Sequence, residues 1–391
     1  MKTDKLFIIA LLLLYIMYFS QGIIYAEGSI VSQLVLLCIL SICSFYLIKS
    51  FLLKRSHNYF YKIWTSFLAL NVLGFIFTAS VSNPYHFGMF KGVLLTLISF
   101  YPFYYVSLKG TEIKRYFIIF FIAMVVLAVA QFYTNQATIL ADRISDNTNV
   151  VNNSAYLFVV LIPFLFFLKK NFITYALLAI LAFFIIGGAK RGALIAGGLG
   201  LFVYILYLFK AQAFEVNFKK KLKTYIVLFS GIIVVSYLAY NQFLENEFLQ
   251  NRLEDMIEGN TSNRTENYTW IWEAWLGADS FLNLIFGFGF AASLEITGRH
   301  FAHNDWLEAL SNFGLFGFTL YLSLFVILIR KIRKNNFILA ERMQLIAITL
   351  IWFFMTLVSM FYTSLNSFIM VMVLAYIIGK RSDLNFELKK I

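Results

Sequence analysis

Asn171 to Lys210 reads NFITYALLAILAFFIIGGAKRGALIAGGLGLFVYILYLFK. Two apolar runs, near 171–188 and 192–209, flank a turn made of Gly187-Gly188-Ala189-Lys190-Arg191-Gly192. A helix needs about 20 mostly apolar residues to cross a bilayer core. The stretch therefore reads as two spans with two cations in the turn between them. Ten more runs lie near 6–26, 30–48, 63–82, 87–108, 116–134, 154–168, 224–241, 309–329, 343–361 and 364–379. None shows the ten-residue alternation of a membrane barrel. Lipid offers no water to open backbone groups, so helices are expected. The sequence predicts an all-α polytopic membrane protein with about twelve transmembrane helices. It forms one integral membrane domain over residues 1–391.

Composition agrees. The chain is 61% hydrophobic and 13% charged, against roughly 45–50% and about 25% in soluble domains. That excludes a soluble enzyme and a disordered chain. Its two cysteines, Cys38 and Cys43, share one apolar run, which leaves no disulfide framework or cysteine-based zinc site. Lys2 and Lys5 precede the first run. Cleavage after Ala26 would set Ile24 where a small residue is needed, so this run is read as an uncleaved first helix.

The net charge of +12 follows from topology. With both termini cytoplasmic, 25 of the 32 basic residues fall on inner segments, and every inner loop is basic. The positive-inside rule produces that pattern without any nucleic acid. Seven cations are left outside: Lys91, Arg143, Lys190, Arg191, Arg252, Arg264 and Arg299. Topology does not ask for them there.

Two outer segments are long. One, near 135–153, contains Arg143. The other, 242–302, exceeds a mere connector and is expected to be an extracytoplasmic loop with short amphipathic helices. Asn251–Ile257 is amphipathic, and Tyr268, Ile271, Trp272 and Trp275 recur at helical spacing, with Trp270 beside them. This aromatic helix is expected on the outer membrane surface, as an anchor or as a wall of a site facing lipid-linked substrate.

Glycines around Lys190 and Arg191 let the backbone turn tightly. Arg191 opens the next helix, whose free N–H groups favour anions, and a guanidinium forks onto phosphate oxygens. The same cations could instead reach lipid headgroups. Further on comes His303-Asn304-Asp305-Trp306-Leu307-Glu308-Ala309-Leu310, followed by Gly314 and Gly317. As one helix, this puts His303, Leu307, Leu310, Gly314 and Gly317 on one face. Small residues permit close helix contact there, and His303 is a base near neutral pH or a structural, hydrogen-bonded histidine. His300 and Asp305 are candidates to orient it. Together the three match no standard zinc spacing. Span interiors hold almost no ionisable residue, with Lys91 and His86 intruding near an outer end. Ion-coupled transporters place charge at mid-depth, which weakens a flippase reading.

These pieces resemble the O-antigen ligase and Wzy polymerase superfamily of bacterial polysaccharide assembly. Arg143 with Asn152-Asn153-Ser154-Ala155-Tyr156 resembles its Arg and Asn-rich segment, and Lys190-Arg191-Gly192-Ala193 its short outer turn. Arg264-Thr265 with Trp272 resembles its Arg-Thr…Trp segment, and Gly287-Phe288-Gly289-Phe290 its Gly-aromatic-Gly turn. His303-Asn304 with Leu307, Gly314 and Gly317 resembles its most recognisable signature. The likeness covers roughly residues 140–330 by motif and the whole chain by topology.

The resemblance implies a glycosyltransferase of the bacterial inner membrane that needs no metal or other cofactor. Its donor would be an undecaprenyl-diphosphate-linked oligosaccharide and its product would form on the extracytoplasmic face with inversion. The expected activity is repeat-unit polymerase, adding a glycan to the terminal sugar of another lipid-linked repeat. The alternative is a ligase acting on a lipid A-core, cell-wall or protein acceptor. Arg191 and Arg264, helped by Lys190 and Arg143, are expected to hold the diphosphate. His303 is expected to take the acceptor proton, and Asn304 to orient the acceptor glycan or the histidine. A chain-length regulator, a flippase and membrane lipid are the expected partners.

Overall fold

The computed structural model describes residues 2–21, 23, 28–53, 57–79, 83–141, 151–213, 264–298, 300–334 and 337–380, with isolated positions between 222 and 250. The described residues form helices joined by turns and short irregular segments. In chain order the helices are α1 (Lys2–Phe19), α2 (Ile30–Phe51), α3 (Tyr59–Thr78), α4 (Pro84–Ile98), α5 (Phe100–Leu108), α6 (Lys114–Ala141) and α7 (Ala155–Leu161). A 3-10 segment (Ile162–Phe167) extends α7, and α8 (Phe172–Gly187) and α9 (Arg191–Ala213) follow. Then come α10 (Arg264–Leu276), α11 (Phe281–Phe286), α12 (Ala292–Ile296), α13 (Asp305–Arg333), α14 (Leu339–Val358) and α15 (Phe368–Gly379).

Among the described residues, seven helices are long and apolar enough to cross a membrane: α2, α3, α4 with α5, α6, α9, α13 and α14. The chain is an integral membrane protein. Of the twelve apolar runs, seven lie on these helices. Those at 6–26, 154–168, 171–188 and 364–379 lie on shorter ones, and 224–241 falls outside the described residues. The 364–379 run has a physical reason for being short. Every residue of α15 is buried, so it is a core helix packed on α5. A helix apolar all round belongs inside the protein.

Around it α13 packs on α3, and α14 packs on both α9 and α13. The join is aromatic and hydrogen-bonded. Trp352 Nε1 donates to Tyr321 Oη at 2.9 Å, and Tyr321 Oη donates to Asp305 Oδ2 at 2.7 Å. The same carboxylate accepts the amides of Phe361 (3.0 Å) and Tyr362 (3.1 Å). A buried carboxylate needs donors of this kind. Here they tie the start of α13 to the turn after α14.

α13 is not one straight helix. Gly314 has φ 60° and ψ −156°, which breaks it. The carbonyls of Ser311 and Asn312 accept instead from the amides of Phe288 (2.8 Å) and Gly289 (3.1 Å). Gly287 and Gly314 meet backbone to backbone, and a Cβ on Gly314 would lie 2.6 Å from Gly287 N. The Gly-Phe-Gly turn therefore fills the gap in the α13 ladder. His86 is buried at the start of α4, with Nε2 4.0 Å from Glu295 Oε1 on α12.

Candidate functional site

One end of the bundle gathers the chemistry. There α8 ends, α9, α10 and α13 begin, and α14 ends. The α8–α9 turn forms because its glycines admit close neighbours. A Cβ on Gly188 would lie 2.6 Å from Ala155 Cβ, and one on Gly192 would run into the Tyr156 hydroxyl. Asn152 N donates to Gly188 O at 3.0 Å, which docks the Asn152-Asn153-Ser154 segment on this turn. Ala189 takes φ 48°, a left-handed conformation that non-glycine residues adopt at a cost. Lys190 follows it, half-buried, and Arg191 starts α9.

His303 sits before α13 and not within it. Asn304 is the cap: its Oδ1 accepts the amides of Trp306 (3.0 Å) and Leu307 (3.2 Å). His303 itself has φ 50°. The expectation of one helical face running from His303 to Gly317 is corrected on this point. Leu310, Gly314 and Gly317 are buried on α13, while His303 lies on an exposed bend outside the helix. Asp305 does not orient the imidazole, because its oxygens serve Tyr321, Phe361 and Tyr362. Asn304 Oδ1 is committed to the cap.

α10 supplies the third part. Arg264 Nη1 donates to Val358 O at the end of α14, at 2.5 Å. One turn on, Tyr268 Oη lies 3.4 Å from both the His303 and Leu357 carbonyls. Ile271 and Trp275 bury beneath α10, and Trp275 Nε1 donates to Leu284 O at 3.2 Å. Trp270 and Trp272 remain exposed, so Trp272 departs from the face expected for it. Within 242–302, residues 264–298 form α10, α11 and α12. The amphipathic stretch Asn251–Ile257 falls outside the described residues.

Electrostatics joins these parts. His303 keeps an exposed edge, yet the neighbouring protein strips water from much of its ring; that desolvation, then the charges of Arg264, Lys190 and His300, bring the imidazole down to about 4. It is therefore neutral near pH 7, the form that accepts a proton. Burial raises the Tyr268 phenol, against the opposing pull of Arg264 and Asn304. The charges of Arg264, Lys190 and His300 thus act on His303, and Tyr268, with its hydroxyl 3.4 Å from His303 O, sets α10 against the bend. The charge of Lys190, from the α8–α9 turn, is among those that lower the imidazole. Arg143 lies outside the described residues.

From the sequence, Tyr268 enters only as part of the aromatic helix, and Glu308 has no role. Tyr268 stands one helical turn from Arg264, a spacing that puts both on one face. Glu308 is fully buried: Oε2 accepts from Ser293 Oγ and Oε1 from Ala302 N, each at 2.7 Å. Its signal was a carboxylate in an otherwise apolar run.

Comparison with curated proteins finds no match. The family comparison does: residues 176–322, which contain Lys190, Arg191, Arg264, His303 and Asn304, match the family model Wzy_C, described as O-antigen ligase. The chain carries an O-antigen ligase (Wzy_C) family domain over these residues.

Proposed function

We propose that the protein is a polysaccharide repeat-unit polymerase that uses an undecaprenyl-diphosphate-linked glycan as donor. Its family implies a glycosyltransferase of the ligase or polymerase type acting on lipid-linked glycans. The observation that carries the reading is that α10 meets the His303 bend: Tyr268 Oη lies 3.4 Å from His303 O with Arg264 one turn back, and the charges of Arg264 and Lys190 act on the imidazole. Arg264 and Lys190, with Arg191 and Arg143, hold the donor diphosphate. An acceptor hydroxyl attacks the anomeric carbon on the face opposite the diphosphate. The new C–O bond forms as the bond to the diphosphate breaks, and the anomeric centre inverts. The hydroxyl proton passes to His303, and the negative charge leaves on the lipid diphosphate beside the cations. Asn304 fixes His303 through the cap that begins one residue later.

The cations serve twice in this scheme. In an empty site they hold His303 neutral and weakly basic. A bound diphosphate offsets Arg264 and Lys190, so the imidazole becomes a stronger base when the donor is present. The reaction takes place on the extracytoplasmic face of the bacterial inner membrane. The chain has about twelve spans with both termini cytoplasmic, a chain-length regulator sets product size, and a flippase delivers the donor.

A second reading is favoured by the family's description as O-antigen ligase. The same site would then transfer a finished glycan to a lipid A-core, cell-wall or protein acceptor. Deleting the gene and sizing both surface glycan and lipid-linked intermediates separates the two. A polymerase leaves single repeats and no long chains. A ligase leaves long chains accumulating on the lipid carrier. If both pools are unchanged, neither activity belongs to this protein.

A further inference from the structure

We propose that Glu308 is a positioning residue of this site, whose buried carboxylate sets the left-handed bend that presents His303. The inference rests on the reading of His303 as the proton acceptor.

The argument starts with where Glu308 is. It lies one turn into α13 with no solvent exposure. A carboxylate buried there costs stability unless donors are supplied, and an apolar residue would pack at least as well. Its two oxygens each have a donor, and the donors come from different places. Ser293 Oγ, from α12, gives to Oε2, and the Ala302 amide gives to Oε1, both at 2.7 Å. Ala302 is the residue immediately before His303.

The bend is thus gripped on both sides. Before it stands the Glu308–Ala302 bond. After it stands the Asn304 cap on the Trp306 and Leu307 amides. Thr297 adds a brace further back, donating to Ser293 O at 2.8 Å and accepting from His300 N at 3.2 Å. A histidine at φ 50° persists only where its surroundings over-determine it. Glu308 is the side chain that links the bend, α12 and α13 in one bonded unit.

Its action is geometric. Both carboxylate oxygens are taken, by Ser293 Oγ and by the Ala302 amide. Glu308 therefore does not pair with the His303 ring as the acid of a dyad. It holds the backbone that carries the ring. Glutamine has the same length, with one oxygen to accept from Ala302 and one amide to donate to Ser293. Aspartate keeps the charge but is one carbon too short to reach both partners.

The test is steady-state kinetics of the purified full-length protein in detergent, with lipid-linked repeats as substrate. His303→Ala, Glu308→Ala, Glu308→Asp and Glu308→Gln are compared with wild type. Glu308→Ala and Glu308→Asp are expected to lose kcat by about 10- to 100-fold with donor KM unchanged, the scale of a misplaced reacting group. Glu308→Gln is expected to keep near wild-type kcat. If Glu308→Ala does not accumulate in membranes, the Gln and Asp pair decides. An active Asp variant with an inactive Gln variant overturns the proposal, since the charge or proton of the acid would then be in use. Wild-type kcat in Glu308→Asp overturns it too, as does a donor KM that rises with the fall in kcat. The reading of His303 fails separately: it falls if His303→Ala turns over like wild type, whatever the Glu308 variants do.

Discussion

Ala189 and His303 have nearly the same backbone, φ 48° and φ 50°, in two turns at the same end of the bundle. The turns are held by different forces. The Ala189 turn is crowded: Ala189 is buried, and Gly188 leaves no room for a Cβ beside Ala155. The His303 turn is exposed and held by directed hydrogen bonds, from Ala302 to Glu308 and from the α13 amides to Asn304. Crowding fixes a backbone without demanding any polar atom, and it suits a buried residue with no chemistry of its own. On the proposed reading, an imidazole that meets substrate needs open space on one side, so polar atoms beneath it take over. The difference would then separate a turn that locates a cation from a turn that delivers a base.

Substitutions can break this comparison, and the largest effect is expected at the base. His303→Ala makes the two left-handed residues alike while leaving the bonds around them. Glycosidic bond formation should fall by about 10²–10⁴-fold, with the protein still accumulating in the membrane. Arg264→Ala should lower turnover by roughly 10²–10³, as for loss of one electrostatic contact to a developing charge. Arg264→Lys should recover only part of that, because lysine lacks the fork that can reach Val358 O and a phosphate together. Single-turnover assays with excess protein would check both.

Stability should fall in both turns, by different routes. Gly188→Ala drives a methyl into Ala155 and should cost about 1–3 kcal/mol, read as a lower thermal midpoint in detergent. A midpoint equal to wild type would show that the α8–α9 turn is not held by crowding. Asn304→Ala removes the cap and should cost about 1 kcal/mol, with a larger fractional loss of activity than Gly188→Ala gives.

The smallest effect sharpens the electrostatic part. His303 accepts a proton only while neutral, so kcat/KM should fall as pH drops through about 4. Lys190→Gln removes one of the cations that depress the imidazole. The acidic limb of the profile should then move upward, towards the ordinary histidine range. A limb that stays in place would remove Lys190 from the His303 environment.

How much of this could be read from the chain varies by level. The apolar runs were legible because lipid selects for length and hydropathy, which are local sums. The short α15 was legible as apolar but not as a core helix, since what encloses it comes from elsewhere in the chain. The cationic turn and the His303–Asn304 motif were also legible, because charge outside a membrane and glycine beside it are visible residue by residue.

Other features waited for tertiary structure. The sequence put His303 on a helix, but the Asn304 cap and a left-handed bend put it before one. The sequence offered Asp305 as its orienting acid, but Tyr321 and the amides after α14 claimed that carboxylate. Nothing in the sequence showed that Arg264, far before His303 in the chain, would start a helix whose Tyr268 lies against the His303 carbonyl. What the sequence determined by itself was the membrane class, the cationic and histidine motifs, and the chemistry they could perform. Only the tertiary structure decided which groups meet. Arg264 contacts Val358 across 94 residues and Asp305 contacts Phe361 across 56. Hydropathy acts along the chain, while a hydrogen bond needs two groups within about 3 Å, and only packing decides which distant groups come that close.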